Sequence, residues 1–542
     1  MSNRIKKKEE TKSSFQESAA FFMGIFALAV LCLLPLVVTN FYFNILETKY
    51  LFFCGCAIIM ILVMGGFGLV SGRLGQFFKG FDLKKTVRGL SVPDWAILAF
   101  WLCNLISFAF ADIRWEAFWG TSGRYNGLFL MTIYTVVYFM MTRFFHFRQW
   151  YLDAFLAVGV FVCIFGITDY FQMDILGFKR NMLDEQKAIY TSTFGNINTY
   201  TVYVGALLVV STILFAVEKN KNRMLWYYGN IILTSFALIM GTSDNAYLTL
   251  AALFGFAPLY LFHTKTGLRR YLIALTTFLT VMVSISWINA ANADVVLGID
   301  SAFNLIANMG VFRAMVVVFW VLTAAVAFLT MRKPKMPVKS KELAEREKLG
   351  KGAIYGWIGV MVVVAAAIVF VFYDANVAGH ADRYAAIRSY VVFNDDWGTE
   401  RGYIWRRSLE LYKNVLNPFQ KLFGYGPDMF KILIQTNYEA RKLGDTFVVY
   451  DAAHNEYLHY LMTVGLFGMV SYIVFMVSSV VKMAKNVKGR PEVAAVMFAV
   501  TAYMVQAIVN INLPIAMPII LCLLAMGLTK KETADDQERD KD

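Results

Sequence analysis

The chain has 542 residues, of which 58% are hydrophobic and only 16% charged, and its formal net charge is +13. A soluble domain carries roughly 45–50% apolar residues. Here the charges sit in short clusters between apolar runs of about twenty residues, the length that crosses a ~30 Å hydrocarbon core. This excludes a soluble globular protein, and the lack of ~10-residue alternating segments excludes a β-barrel.

The class is an all-α polytopic membrane protein with about 14 transmembrane helices. The predicted spans run over 19–41, 50–71, 94–111, 127–142, 151–171, 198–217, 226–240, 245–262, 271–290, 310–330, 353–373, 456–481, 492–509 and 512–529. A basic tail (1–18) precedes the first span, which is too long for the h-region of a cleavable signal. Connectors after even-numbered spans are basic: Arg73 to Arg88, Lys219 to Arg223, Lys265 to Arg270, Arg332 to Lys351 and Lys482 to Arg490. They and the tails hold about 34 of the 51 Lys and Arg, which sets both termini in the cytoplasm. The positive charge therefore reflects topology and needs no nucleic-acid partner. The tail 530–542 is polar and is expected to be disordered. All six cysteines lie in apolar runs, so no disulfide is expected to brace an external loop.

Two connectors stand out. Residues 172–197 make a modest outward loop ending in Phe194-Gly195-Asn196-Ile197-Asn198. Residues 374–455 make a folded extracytoplasmic loop of about eighty residues, far beyond ordinary connector length. Within it, a short helix is expected over Arg383–Tyr390 and a turn over Asn394–Gly398. An amphipathic helix should run from Thr399 or Glu400 to Val415, with a tight turn at Gly424-Tyr425-Gly426-Pro427. Asp451 is then expected to cap the twelfth span.

Candidate chemistry gathers on this outward side. His454 stands where the loop meets a helix, and imidazole suits proton transfer near neutral pH; the bland alternative is a first-turn residue behind an Asp cap. His459, about 140° further round an ideal helix, should point elsewhere. Arg401 has Trp397 and Trp405 at i−4 and i+4 and no helical carboxylate, whereas Arg406 and Arg407 have Glu410. Arg401 is thus either an anion-holding group or a surface arginine packed on tryptophan. Arg124, in Gly123-Arg124-Tyr125-Asn126-Gly127, suits a phosphate or a lipid headgroup equally. Asn196 and Asn198 fit sugar hydroxyls or turns and caps. Asp395-Asp396 lacks the further oxygen ligands of a cation site. The spans carry almost no ionisable residues, which argues against an ion-coupled carrier.

Together these pieces resemble the O-antigen ligase and polymerase superfamily of bacterial envelope enzymes. The likeness rests on Glu400-Arg401-Gly402-Tyr403-Ile404-Trp405, Leu422-Phe423-Gly424-Tyr425-Gly426-Pro427 and Ala453-His454-Asn455-Glu456-Tyr457-Leu458, in that order. The Gly123–Gly127 and Phe194–Asn198 segments add to it. The resemblance implies a metal-independent, inverting glycosyltransferase of the integral-membrane type, with no cofactor. Its donor is a glycan on undecaprenyl diphosphate; its acceptor is a glycan, a lipid-linked sugar or a protein. It implies His454 as the base and Arg401 as a diphosphate contact, with Arg124, Arg388, Arg407, Asn196, Asn198 and Asn455 as the substrate-binding set. One departure is Ser243-Asp244-Asn245, where relatives often show a Ser-Arg pair; Arg124, Arg388 or Arg407 is expected to substitute. The alternative function is a lipid-linked oligosaccharide flippase, for which neither cavity charges nor internal repeats are visible.

Overall fold

The computed structural model describes residues 2–73, 75, 82–299, 301–330, 347–443, 446–448 and 450–530. The tail beyond Lys530, most of the basic connector between Arg332 and Lys351, and part of the Arg73–Arg88 connector lie outside the described residues. Among the described residues nine helices are long and apolar enough to cross a membrane: Phe15–Leu33, Ile45–Val70, Val92–Ala109, Trp150–Tyr170, Ile197–Val217, Lys265–Ala291, Gly310–Thr330, Lys351–Asn376 and Gly465–Asn486. Four shorter apolar helices, Leu128–Phe144, Asn245–Leu261, Pro491–Gln506 and Met517–Gly527, fall where further spans were predicted, as does Lys221–Met240.

The chain forms two compact units. One comprises 1–158, 412–500 and 511–542, the other 159–411 and 501–510. In the first, Gly465–Asn486 packs along Val92–Ala109, which also meets Leu128–Phe144. Val92–Ala109 starts with a capping box in which Ser91 and Asp94 satisfy each other's backbone donors. Near the first span, buried Lys49 donates to the carbonyls of Leu34 (2.7 Å) and Pro35 (3.0 Å), pairing helix-end acceptors that water cannot reach.

The twelfth predicted span is two helices. Glu456–Thr463 ends at Val464, and the membrane-length helix begins at Gly465. The reason is a backbone crossing. Gly465 sits at φ +74°, and a Cβ there would meet the Leu422 carbonyl at 2.3 Å. A Cβ on Gly424, itself at φ +90°, would come within 2.1 Å of the Thr463 oxygen. Tyr425 and Gly426 then donate their N–H groups to Met462 and Thr463, both at 3.0 Å. Only glycines let the two chains approach so closely.

In the second unit Ile197–Val217 is buried along nearly its whole length, chiefly against Lys221–Met240. Lys351–Asn376 is the opposite case. Its Val362, Val363, Ile368 and Phe370 are exposed, an apolar surface suited to lipid. The loop helix over Trp397–Asn414 is not regular at its start. Gly398, Thr399 and Glu400 are all left-handed, at φ +59°, +57° and +68°. Regular helix therefore begins at Arg401, and Trp397 is not one helical turn before it. Asn417 starts the next helix (Pro418–Phe423) through a capping box with Gln420.

The topology reading gives a direct test. Single cysteines replacing Lys421 and Lys488 should react with a membrane-impermeant thiol reagent from opposite sides. Labelling of both from one side would overturn the orientation.

Candidate active site

In the first unit the Gly120–Gly127 turn joins the short helix Arg114–Trp119 to Leu128–Phe144. Gly120 is at φ +91°, and a Cβ there would lie 2.5 Å from the Tyr125 backbone, so the turn closes tightly. Its buried Arg124 forks onto Asp451, Nε donating to Oδ2 at 3.0 Å and Nη2 to Oδ1. A planar guanidinium matches a carboxylate in this way and no other cation does. Arg124, expected to hold a phosphate or headgroup, thus has its fork filled by a residue of the chain. Burial pushes the Asp451 carboxyl up, but Arg124 and His454 outweigh it, and the group lies below the ordinary range.

Asp451 is not the helix cap it was expected to be. Asn455 takes that place, its Oδ1 accepting from the Leu458 N–H at 3.0 Å. His454 precedes the cap in a left-handed conformation, φ +48°. Such a backbone costs free energy in a non-glycine residue and recurs at functional sites. Because His454 lies outside the helix, the 140° reckoning to His459 fails. His459 is within electrostatic reach of Arg124, Asp451 and His454. Its ring packs 5.3 Å from that of Phe430, and its buried Nδ1 has no hydrogen-bond partner among the described residues. Burial, with Arg124 adding, lowers its pKa to about 3. Burial thus favours the neutral form of His459.

Beneath the turn lies Asp428, which sequence reasoning missed. Its Oδ2 accepts from the N–H of Thr121 (2.7 Å), the hydroxyl of Thr121 (3.2 Å) and the N–H of Asn126 (3.1 Å). Asn126 in turn donates to the Asn512 carbonyl at 2.6 Å. Burial raises the Asp428 pKa to about 7, against the pull of these donors and of Arg124. The folded state thus holds the proton more tightly than the unfolded chain, whose aspartates titrate near 4. This group's contribution to stability is complete below about pH 4 and is lost as pH rises through about 7. The Asp428→Asn variant should lack that fall. Thermal unfolding of both proteins from pH 4 to 8 would show their midpoints diverging with pH; a constant difference would sink the assignment.

The second unit holds the other predicted residues. Half-buried Arg401 donates from Nε to the Val509 carbonyl (3.0 Å) and from Nη1 to the Gly398 carbonyl (2.5 Å) and Thr399 hydroxyl (3.1 Å). Its Nη2 carries no hydrogen bond among the described residues. Burial lowers its pKa, and nearby Asp244 opposes the shift. Trp405 keeps its place one helical turn after Arg401, but Trp397 does not precede it by one; the rings of Trp397 and Trp405 pack on each other at 5.1 Å. Asn198 accepts from the Ser243 hydroxyl (2.7 Å) and the Asn245 amide (3.0 Å), while its carbonyl meets the Asn510 amide at 3.4 Å. Tyr390 donates to Asp244 at 3.2 Å. The Ser243-Asp244-Asn245 segment and the 509–510 backbone so join Arg401 and Asn198 in one polar cluster.

The remaining predicted residues are placed otherwise. Asn196 caps Ile197–Val217, accepting from the Asn198 N–H at 2.8 Å. Arg407 pairs with Glu410 at 2.7 Å, which raises its pKa. Arg406, assigned to the same carboxylate from spacing, clasps Asp395 instead at 2.6 and 2.7 Å. The left-handed turn at 398–400 brings the bend around Asp395 back beside the helix, which no helical wheel anticipates. Arg388 starts the Arg388–Val391 turn and is exposed.

Long apolar helices and polar clusters in the segments that connect them define a multi-pass membrane protein. Residues 299–473 match the family model described as O-Antigen ligase. The matched range contains the Arg401, Gly424 and His454 motifs; the Arg124 and Asn198 segments lie before it. No curated protein matches the chain.

Proposed function

We propose that the protein transfers glycan from an undecaprenyl-diphosphate-linked donor to an acceptor hydroxyl on the outer side of the cytoplasmic membrane, by inversion and without a metal. The acceptor is a glycan, a lipid-linked sugar or a protein. The observation that carries this reading is His454, strained at φ +48° beside an ionised Asp451 within the family-matched segment.

A diphosphate is a good leaving group, so the demands on the protein are a base and fixed positive charge. His454 takes the proton of the acceptor hydroxyl as its oxygen bonds to the anomeric carbon. The bond from that carbon to the diphosphate oxygen breaks on the opposite face, and the departing charge goes to Arg401. Asp451, anchored by Arg124, holds the positive charge that develops on the imidazole. Arg124 is thus a positioning residue, and of the three substitutes expected for the missing Ser-Arg arginine, exposed Arg388 is the one not paired to a carboxylate. Asn198, held by Ser243 and Asn245, offers its side-chain amide to the sugar.

The test is transfer by purified protein from a defined lipid-linked donor, in excess chelator and without nucleotide. Product with inverted anomeric configuration is expected. Activity that vanishes in chelator and returns with magnesium or manganese would sink the metal-free mechanism. A flippase would relocate the donor and yield no new glycosidic bond.

A further inference from the structure

A second polar site lies in the first unit, at the other ends of the helices that carry the Arg124 turn. There Val92–Ala109 begins and Leu128–Phe144, Gly465–Asn486 and Met517–Gly527 end. They enclose a cavity of about 460 Å³ whose basic lining is Arg143, Lys482, Lys485, Lys488, Arg490 and Lys530. One carboxylate, Asp94, answers these six cations in the wall.

Much of the wall is fixed. Asp94 is 1% exposed and accepts from the Ser91 hydroxyl (2.7 Å), the Tyr138 hydroxyl (2.9 Å) and Arg143 (3.0 Å). Lys482 donates to the Ser91 hydroxyl at 2.9 Å. Arg490 is held by Glu492 and by the Thr529 carbonyl, both at 3.0 Å. Lys485, Lys488 and Lys530 are exposed and pair with no carboxylate among the described residues. The cavity thus has a braced floor and a rim of uncompensated ammonium groups. Scattered basic connector charge needs no such concave, braced pocket; a bound anion does. At the ends of apolar helices the rim stands at headgroup depth, where anionic lipid meets basic side chains. The volume exceeds that of a bare phosphate and falls within the range of small-ligand sites.

We propose that this cavity binds a phosphate group, supplied by an anionic phospholipid headgroup or by a free phosphate. The site is independent of the transfer reaction. Its test is native mass spectrometry of the full chain in neutral detergent, titrated with phosphatidylglycerol, with phosphatidylcholine or with inorganic phosphate. Retained phosphatidylglycerol, in preference to phosphatidylcholine and not displaced by millimolar phosphate, identifies the headgroup. Binding of inorganic phosphate with displacement of the lipid identifies the free anion and equally supports the site. In the triple variant Lys485→Gln, Lys488→Gln, Lys530→Gln, affinity should fall on the order of tenfold or more. The corresponding triple change to arginine should keep it. Unchanged binding in the glutamine variant, or no preference between the two lipids, overturns the proposal.

Discussion

His454→Ala is expected to lower transfer by about 10²–10⁴-fold, the usual worth of general-base assistance, while the protein still inserts and elutes as a folded species. Two features set this apart from loss of a surface residue. The imidazole stands beside an ionised carboxylate that the buried Arg124 holds in a forked ion pair. The second histidine in reach, His459, is held neutral by burial with a pKa near 3 and cannot take over as base. A His454→Asn variant separates backbone from chemistry, because asparagine tolerates the left-handed conformation that His454 adopts. It should fold as well as wild type and be as inactive as the alanine variant. Near wild-type turnover in His454→Asn would reduce His454 to a helix-entry residue.

How much of this was legible beforehand depends on the range of the interaction. The spans follow from apolar run length and the connector charges, which are local, and each predicted span has a helix in its place. The Gly424 turn was legible because glycine at a tight turn is a local signal. The pairs that build the site are not local. Arg124 meets Asp451 across 327 residues, and Asp428 reaches Thr121 across 307. Asp428 follows a proline in a turn, an ordinary place for an aspartate, and no spacing rule marks it. The angular argument for His459 and the Arg406–Glu410 pairing failed for one reason. Both assumed regular helix where the chain takes left-handed residues, at His454 and at Gly398–Glu400.

Arg401 carries the other large expected effect, and here charge must be separated from geometry. Its Nε and Nη1 are spent on the Val509 and Gly398 carbonyls and the Thr399 hydroxyl, which aim the guanidinium, while Nη2 is left for an incoming oxygen. Lysine has one ammonium and cannot both brace the 398–400 turn and reach a diphosphate. Arg401→Lys should therefore keep the net charge yet lose much of the activity. Arg401→Ala should lose on the order of 10²–10³ in turnover, as for removal of a donor aimed at developing charge. Arg406→Lys is the control. It keeps a cation beside Asp395 in a half-exposed pair, where ion pairs are worth about 0–1 kcal/mol, and it should stay within a few-fold of wild type. A purely structural role for Arg401 predicts a lowered unfolding temperature with kcat restored once folded protein is counted. A diphosphate contact predicts a fall in kcat per folded molecule. Equal, mild losses at Arg401 and Arg406 would leave the loop no more than a diffuse positive surface.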